Sequence, residues 1–451
     1  MSTLLIKNAT VIVTMDDARR ELKDTSLYAI DGVISALGPA ASLPAWADRI
    51  IDAHDHVAVP GFVNTHHHLV QNLTRAVPAA QDAPLFGWLK ALYPIWANLT
   101  PDHVYSAVAL GLAELALSGC TTSSDHLYLF PNGSRLDDEI RAARDVGVRF
   151  TATRGSMSIG ESKGGLPPDR ITESEPSILR DCERLIDTYH DASRHAMLNI
   201  ALAPCSPFSV SRELMRDTAI LARQKGVRLH THLAENVEDI AYSLEKFGVR
   251  PGQYAEDLGW VGHDVWHAHC VQLDASEIEL FGRTGTGIAH CPCSNMRLAS
   301  GIAPIGAMLR AHVPIGLGVD GSASNDSGHM LNEVRQTMLL QRVKGDAGAM
   351  SARTALELAT RGGARVLGRS DIGHLAPGMS ADVCLYNLNT IDFAGADWDP
   401  VAALVFCGPA KSTYTVINGR VVVDNGRLTT MDLPKLVTEH RRLTRQLMTT
   451  A

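Results

Sequence analysis

Four apolar segments of this chain each deliver a histidine or an aspartate at or near their C-terminal end, and this pattern limits the fold more than any other feature. They are Phe62 to His68, Val227 to His232, Val265 to Cys270 and Ile315 to Asp320. Parallel α/β folds place their chemistry at the C-terminal ends of their strands. If Phe62 to His68 is a strand, residues two apart share a face. His66 and His68 then project together and can hold one divalent metal, while His67 points away. Such a pair taken alone is as readily a hydrogen-bonded core pair. Later segments supply partners: His230-Thr231-His232-Leu233-Ala234-Glu235 repeats the pattern and sets a carboxylate three residues beyond His232, and Trp266-His267-Ala268-His269 repeats it again.

Between about Gly61 and Leu367, strand-like and helix-like segments alternate. Candidate strands are Phe62 to His68, Cys120 to His126, Val148 to Arg154, Met197 to Ala203, Val227 to His232, Val265 to Cys270, Gly287 to Cys291 and Pro314 to Asp320. Eight strands separated by helices predict an α/β chain with a (β/α)8 TIM-type barrel. Helix punctuation supports the spacing. Thr100-Pro101 opens a run to Leu117 that Gly119 closes, while Asp137 to Asp145 and Ser211 to Lys225 end at Gly147 and Gly226. The Gly/Pro-rich stretch 160–168 is expected to be a mobile loop beside the pocket.

The two ends have a different texture. Leu4 to Val13, Leu27 to Ile34 and Arg49 to Ala58 are short apolar runs between turns. Asp382 to Tyr386, Ser412 to Ile417 and Arg420 to Val423 repeat this after the barrel, with an Asn418-Gly419 hairpin signal. A small β-sandwich built from both ends is therefore expected, with residues 1–59 and 369–431 forming it, 60–368 the barrel, and 432–451 an amphipathic, basic C-terminal helix acting as a solvated packing element.

The chain has 451 residues, enough for a large domain and a smaller one, and its 45% apolar content is that of a soluble enzyme. A net charge of -8 offers no basic patch for a nucleic-acid polymer. Eight cysteines form no disulfide-like framework, the N-terminus has no signal-peptide pattern, and no apolar run reaches the roughly 18 residues of a membrane span. A cytoplasmic protein without a membrane partner is expected. A homo-oligomer is compatible with the sequence.

Taken in order, PGFVNTHHH, HTHLAE, HAHC, AHCPCSN and GLGVDG resemble the amidohydrolase superfamily over almost the whole chain. The branch resembled is that of the guanine, cytosine, S-adenosylhomocysteine and s-triazine deaminases. Cys120 to Tyr128 and Ala83 to Leu89 look closest to the 8-oxoguanine deaminases.

The resemblance implies metal ligands at His66, His68, His232 and Asp320. Binuclear relatives carry a bridging carboxylated lysine on the fourth strand, and Met197 to Ala203 contains no lysine, so one metal per chain is expected. Three imidazoles and a carboxylate favour Zn2+, with Fe2+ as the rival. The same resemblance gives catalytic tasks to three residues. Asp320 takes the water's proton and later delivers it to the departing amine, His269 fixes the hydroxide and the developing oxyanion, and Glu235 protonates the ring nitrogen beside the attacked carbon. Substrate contacts are assigned to Gln71, Trp88 and Cys205. Cys205 stands where S-adenosylhomocysteine deaminases place a histidine, which favours a bare base over a nucleoside.

The implied reaction is metal-dependent hydrolytic deamination of a small-molecule nucleobase, with 8-oxoguanine, converted to uric acid and ammonia, ahead of guanine, isocytosine and hydroxylated s-triazines. A binuclear cyclic-amide hydrolase should have the strand-four lysine, and a non-catalytic scaffold should have lost ligands. His230 and His267 are read as structural, on the same face as His232 and His269 but one layer deeper. His54 and His56 are read as surface or hinge residues. Cys291 and Cys293 are read as packing or pocket wall, since the H-x-E with P-C-x-x-C signature of zinc nucleoside deaminases is absent.

Overall fold

The computed structural model describes residues 1–449. Eight parallel strands close into a barrel in chain order: β1 (Phe62–Asn64), β2 (Cys120–Leu127), β3 (Arg149–Ser156), β4 (Leu198–Pro204), β5 (Arg228–Leu233), β6 (Val265–His269), β7 (Gly287–His290) and β8 (Ile315–Leu317). β8 pairs with β1 through Leu317 and Asn64, which completes the ring. Helices cover the outside, and the punctuation read from the sequence sets their ends. Pro101–Leu117 starts behind Thr100, whose hydroxyl lies 2.7 Å from His103 Nδ1. Leu136–Val146 and Arg212–Lys225 stop at Gly147 and Gly226, which take left-handed φ values of 82° and 70° that cost glycine little.

Both chain ends enter one nine-stranded sheet with a shared apolar core that includes Ile6, Ile12, Ala29, Val383 and Val416. Strand His56–Pro60 lies between Thr3–Val13 and Val383–Asn387 and runs through Pro60-Gly61 straight into β1. Of the surface or hinge placement expected, His54 is exposed, whereas His56 is a buried strand residue just before the barrel, its Nδ1 2.7 Å from the His54 carbonyl. The C-terminal helix Leu433–Thr449 seats Leu436, Leu443 and Leu447 inward and contacts Pro101–Leu117. Its His440 spans Ser106 Oγ and the Asn72 carbonyl. Among the described residues, no helix is long and apolar enough to cross a membrane.

Two expectations about strands change. β1 ends at Asn64, so His66 and His68 lie beyond it in an extended segment. Its backbone remains pinned on both sides: Asp320 N–H donates to the His66 carbonyl and His126 N–H to that of His67, at 3.1 and 2.7 Å. The second change concerns side-chain direction. In the β5–β6 register Thr231 faces His267 and His230 faces Trp266, and paired residues in a parallel ladder point to the same side. His267 therefore turns out of the barrel, against Phe281 and the Trp260 carbonyl. His269 returns inward because its φ is +69°.

Candidate active site

Four side chains meet at the C-terminal mouth of the barrel: His66 and His68 beyond β1, His232 from β5, and Asp320 three residues past β8. Asp320 Oδ1 lies 3.2 Å from His66 Nε2 and 3.4 Å from His68 Nε2, and His68 Nε2 lies 3.0 Å from His232 Nε2. His66, His68 and Asp320 are buried and His232 is half-buried at the cavity wall. Burial holds the three histidines below their ordinary pKa, His232 down to about 3, so the rings are neutral.

The remote ring nitrogens decide the tautomers. His68 Nδ1 is 2.8 Å from the His126 carbonyl and His232 Nδ1 is 2.6 Å from the Cys205 carbonyl, and a carbonyl only accepts. Both Nδ1 atoms therefore carry the proton. His230 Nδ1 faces the Trp266 carbonyl at 2.9 Å, so His230 Nε2 is an acceptor and His66 Nδ1, 2.8 Å away, donates to it. The proton sits remotely in all three rings, and three Nε2 lone pairs and a carboxylate oxygen point at one another. His66 Nε2 and Asp320 Oδ1 are buried without a hydrogen-bond partner. Converging lone pairs repel unless a cation lies between them, so the donor set fits a divalent metal ion, with the Nδ1 contacts orienting each ring.

Asp320 is fixed from its other oxygen. Ser294 and Ser324 both donate to Oδ2, Ser324 at 2.8 Å. Burial raises the cost of its charge, but the nearby ring of His269, itself raised above its ordinary value, counters that, and the carboxyl lies well below the usual range. His269 Nδ1 is 2.9 Å from Asn295 Oδ1, and its Nε2 is 3.6 Å from Glu235 Oε2. Burial pushes Glu235 up to about 7, a value suited to handing over a proton near neutral pH. Ala234, His269, Cys270 and Asp320 all take left-handed backbone with φ between 50° and 69°, a conformation that costs non-glycine residues on the order of 1–3 kcal/mol each and clusters at functional sites.

The family model described as "Amidohydrolase family" matches residues 57–422. The chain belongs to the amidohydrolase family. It is 48% identical to the 8-oxoguanine deaminase of Pseudomonas aeruginosa over 414 residues, covering 91% of this chain and 92% of the relative. It is 38% identical to an isoxanthopterin deaminase from an unknown prokaryotic organism, covering 98% and 97%. Among solved structures, the atrazine chlorohydrolase TrzN of Arthrobacter aurescens TC1 complexed with zinc superposes with a TM-score of 0.94 at 35% identity, covering 98% of this chain and all of that one.

In this amidohydrolase one cavity brings together His68, His232, Glu235, His269 and Asp320 with the three residues expected to meet substrate, Gln71, Trp88 and Cys205. Trp88 Nε1 donates to the Ala323 carbonyl at 2.9 Å and Gln71 Oε1 accepts from Ala323 N–H at 3.3 Å, so both walls are tied to the loop after β8. Cys205 reaches the chemistry through its backbone, whose carbonyl orients His232. Its thiol, pushed up to about 12 by burial, stays protonated. Among the described residues, none of 160–168 lines the cavity; helix Leu85–Trp96 and Phe208 wall it instead. Cys291 and Cys293 also lie outside it.

The amidohydrolase site also includes groups that no sequence motif had singled out for a task. His126, Tyr128, Asp239, Ser294 and Asn295 are five of them. His126 stacks on His232 at 4.9 Å and groups with His66, His68 and His232 as donors close enough to share an ion. Ser294 and Asn295 stand inside the AHCPCSN motif, so the signal was present without its meaning.

Proposed function

We propose that this amidohydrolase removes the exocyclic amine of 8-oxoguanine by hydrolysis, yielding uric acid and ammonia, with one Zn2+ per chain held by His66, His68, His232 and Asp320. The observation that carries the chemistry is the convergence of three Nε2 lone pairs and Asp320 Oδ1 beside the buried Glu235 carboxyl. The 48% identity to an 8-oxoguanine deaminase supports the choice of base. Fe2+ suits the same donors, and geometry rather than affinity selects between the two.

The chemistry a divalent ion would supply, held by His66, His68, His232 and Asp320, is acidification of water, so that hydroxide would be available at neutral pH. Asp320 accepts the proton of the attacking water and passes it to the leaving amine; its anchorage by Ser294 and Ser324 through Oδ2 keeps Oδ1 aimed at the place where the ion and its water would sit. His269, fixed by Asn295, stabilises the oxyanion that develops at the attacked carbon. Glu235 delivers its proton to N3, the ring nitrogen of the base that bears no hydrogen beside C2. Loss of aromaticity is the costly step, and protonating N3 during attack lowers that cost. Gln71 and Trp88 hold the edge and face of the heterocycle.

Ammonia release from a panel of purines, pterins, pyrimidines and s-triazines by the metal-loaded enzyme tests this reading. Efficient turnover of 8-oxoguanine, at least about 10²-fold above guanine in kcat/KM, is expected, because a site that pairs with one pattern of ring N–H groups leaves buried partners unmatched by another. Comparable efficiency on guanine, or a preference for a pterin or an s-triazine, overturns it.

A further inference from the structure

Asp239 is a buried carboxylate to which the proposed chemistry gives no task. It sits in the first turn of helix Val237–Phe247, where Asn236 caps the helix by accepting from Asp239 N–H. One oxygen has a structural partner: Oδ2 accepts from Glu235 N–H at 2.8 Å. The other has none. Oδ1 is buried without a hydrogen-bond partner, and the residue lines the same cavity as Glu235 and His269. An acceptor kept from water and left unpaired is costly, and a substrate donor in the cavity removes that cost.

The position of this acceptor limits which donor it can meet. Because Oδ2 is bonded to the backbone of Glu235 itself, the two carboxyl groups enter the cavity side by side. If Glu235 serves N3 of a purine, the group beside N3 on the same edge, one carbon away, is N9. In a free base N9 carries a hydrogen; in a nucleoside or an N9-alkylated base it does not. We propose that Asp239 Oδ1 accepts the N9–H of the base, so that it both orients N3 toward Glu235 and rejects substrates substituted at N9. This rests on the substrate reading above and extends it to a named edge and a named excluded class.

The test compares wild type with Asp239→Asn on 8-oxoguanine, its 7-methyl derivative and its 9-methyl derivative, with metal content and Tm measured on both proteins and competitive inhibition read where turnover is too slow. The asparagine can keep its oxygen on Glu235 N–H, which turns a donor toward the cavity. The wild type should favour 8-oxoguanine over the 9-methyl compound by about 10²-fold or more in kcat/KM or affinity. The variant should lose about 10²-fold on 8-oxoguanine and on the 7-methyl compound but less than about 3-fold on the 9-methyl compound, so that the preference collapses. Parallel losses on all three compounds, or a wild type that accepts the 9-methyl compound as well as the parent, overturn the proposal and leave Asp239 with only its structural bond to Glu235 N–H. Absence of 8-oxoguanine turnover in the metal-loaded wild type overturns instead the substrate reading on which it rests.

Discussion

Ser294 donates its hydroxyl to Oδ2 of Asp320, and the other carboxylate oxygen is thereby turned toward His66 and His68. Outer partners of this kind typically account for 10- to 100-fold in metal affinity or activity. Ser294→Ala should therefore weaken zinc retention or lower kcat by roughly that factor while the fold is kept. Competition with a chelator of known affinity, followed against kcat, reads the effect; wild-type values for both would show that Ser324 alone orients the carboxylate.

His232→Ala and Glu235→Gln should separate the two kinds of residue in the cavity. The first removes one of the converging lone pairs and should lose both metal and turnover. The second removes a proton donor that takes no part in holding the ion, so near-unit metal stoichiometry should persist while kcat falls about 10²- to 10⁴-fold. Elemental analysis beside steady-state kinetics distinguishes them. Two metals per wild-type chain would contradict the ligand set proposed here.

The pH profile should carry the mark of Glu235. Burial raises its carboxyl to about 7, and the proposed step needs the protonated form. Activity should hold below that value and fall as pH climbs through it, approaching tenfold per unit. The residual activity of Glu235→Gln should lack this limb. A limb that persists unchanged in the variant assigns it to another group.

Asp125 on β2 and Glu139 on helix Leu136–Val146 are neighbouring buried carboxyls; burial raises both, and the charge of Asp125 raises Glu139 further. Only protonation makes this proximity favourable. Groups raised in the folded state stabilise it fully below their ordinary values of 3.8 and 4.5, and that contribution is lost as pH rises through the folded values. Glu139→Gln keeps the shape without the proton. It should raise Tm at pH 8 by roughly 2–4 °C, the shift that about 1 kcal/mol gives a large domain, and give no gain at pH 5. An equal change at both pH values would show that the pair does not titrate between them.

The barrel was legible because strand and helix periods alternate and glycine and proline mark the ends of helices such as Pro101–Leu117 and Arg212–Lys225. The metal motifs were legible as motifs. What strand periodicity could not show was local departure from it. His267 and His269 read as one face, yet a left-handed residue at the end of β6 puts them on opposite sides of the barrel wall. Nor does spacing reveal that the short strand β1 stops before His66 and that neighbouring backbones continue its work. Asp239 and Asn295 were missed for a different reason. Each is an ordinary helix residue in sequence, at the start of Val237–Phe247 and within Pro292–Arg297, and acquires meaning only from what lies opposite in the closed barrel.

The strand that leads into His66 has its own bearing on how the molecule is made. His56–Pro60 finds one neighbour, Thr3–Val13, before the barrel in sequence, and the other, Val383–Asn387, only after the whole barrel has been synthesised. Until then one of its edges is open, in a sheet whose closure entropy spans most of the chain. The sheet therefore closes like a clasp: the strand that runs into β1 is held on both edges only when Thr3–Val13 and Val383–Asn387, far apart in sequence, have both joined it.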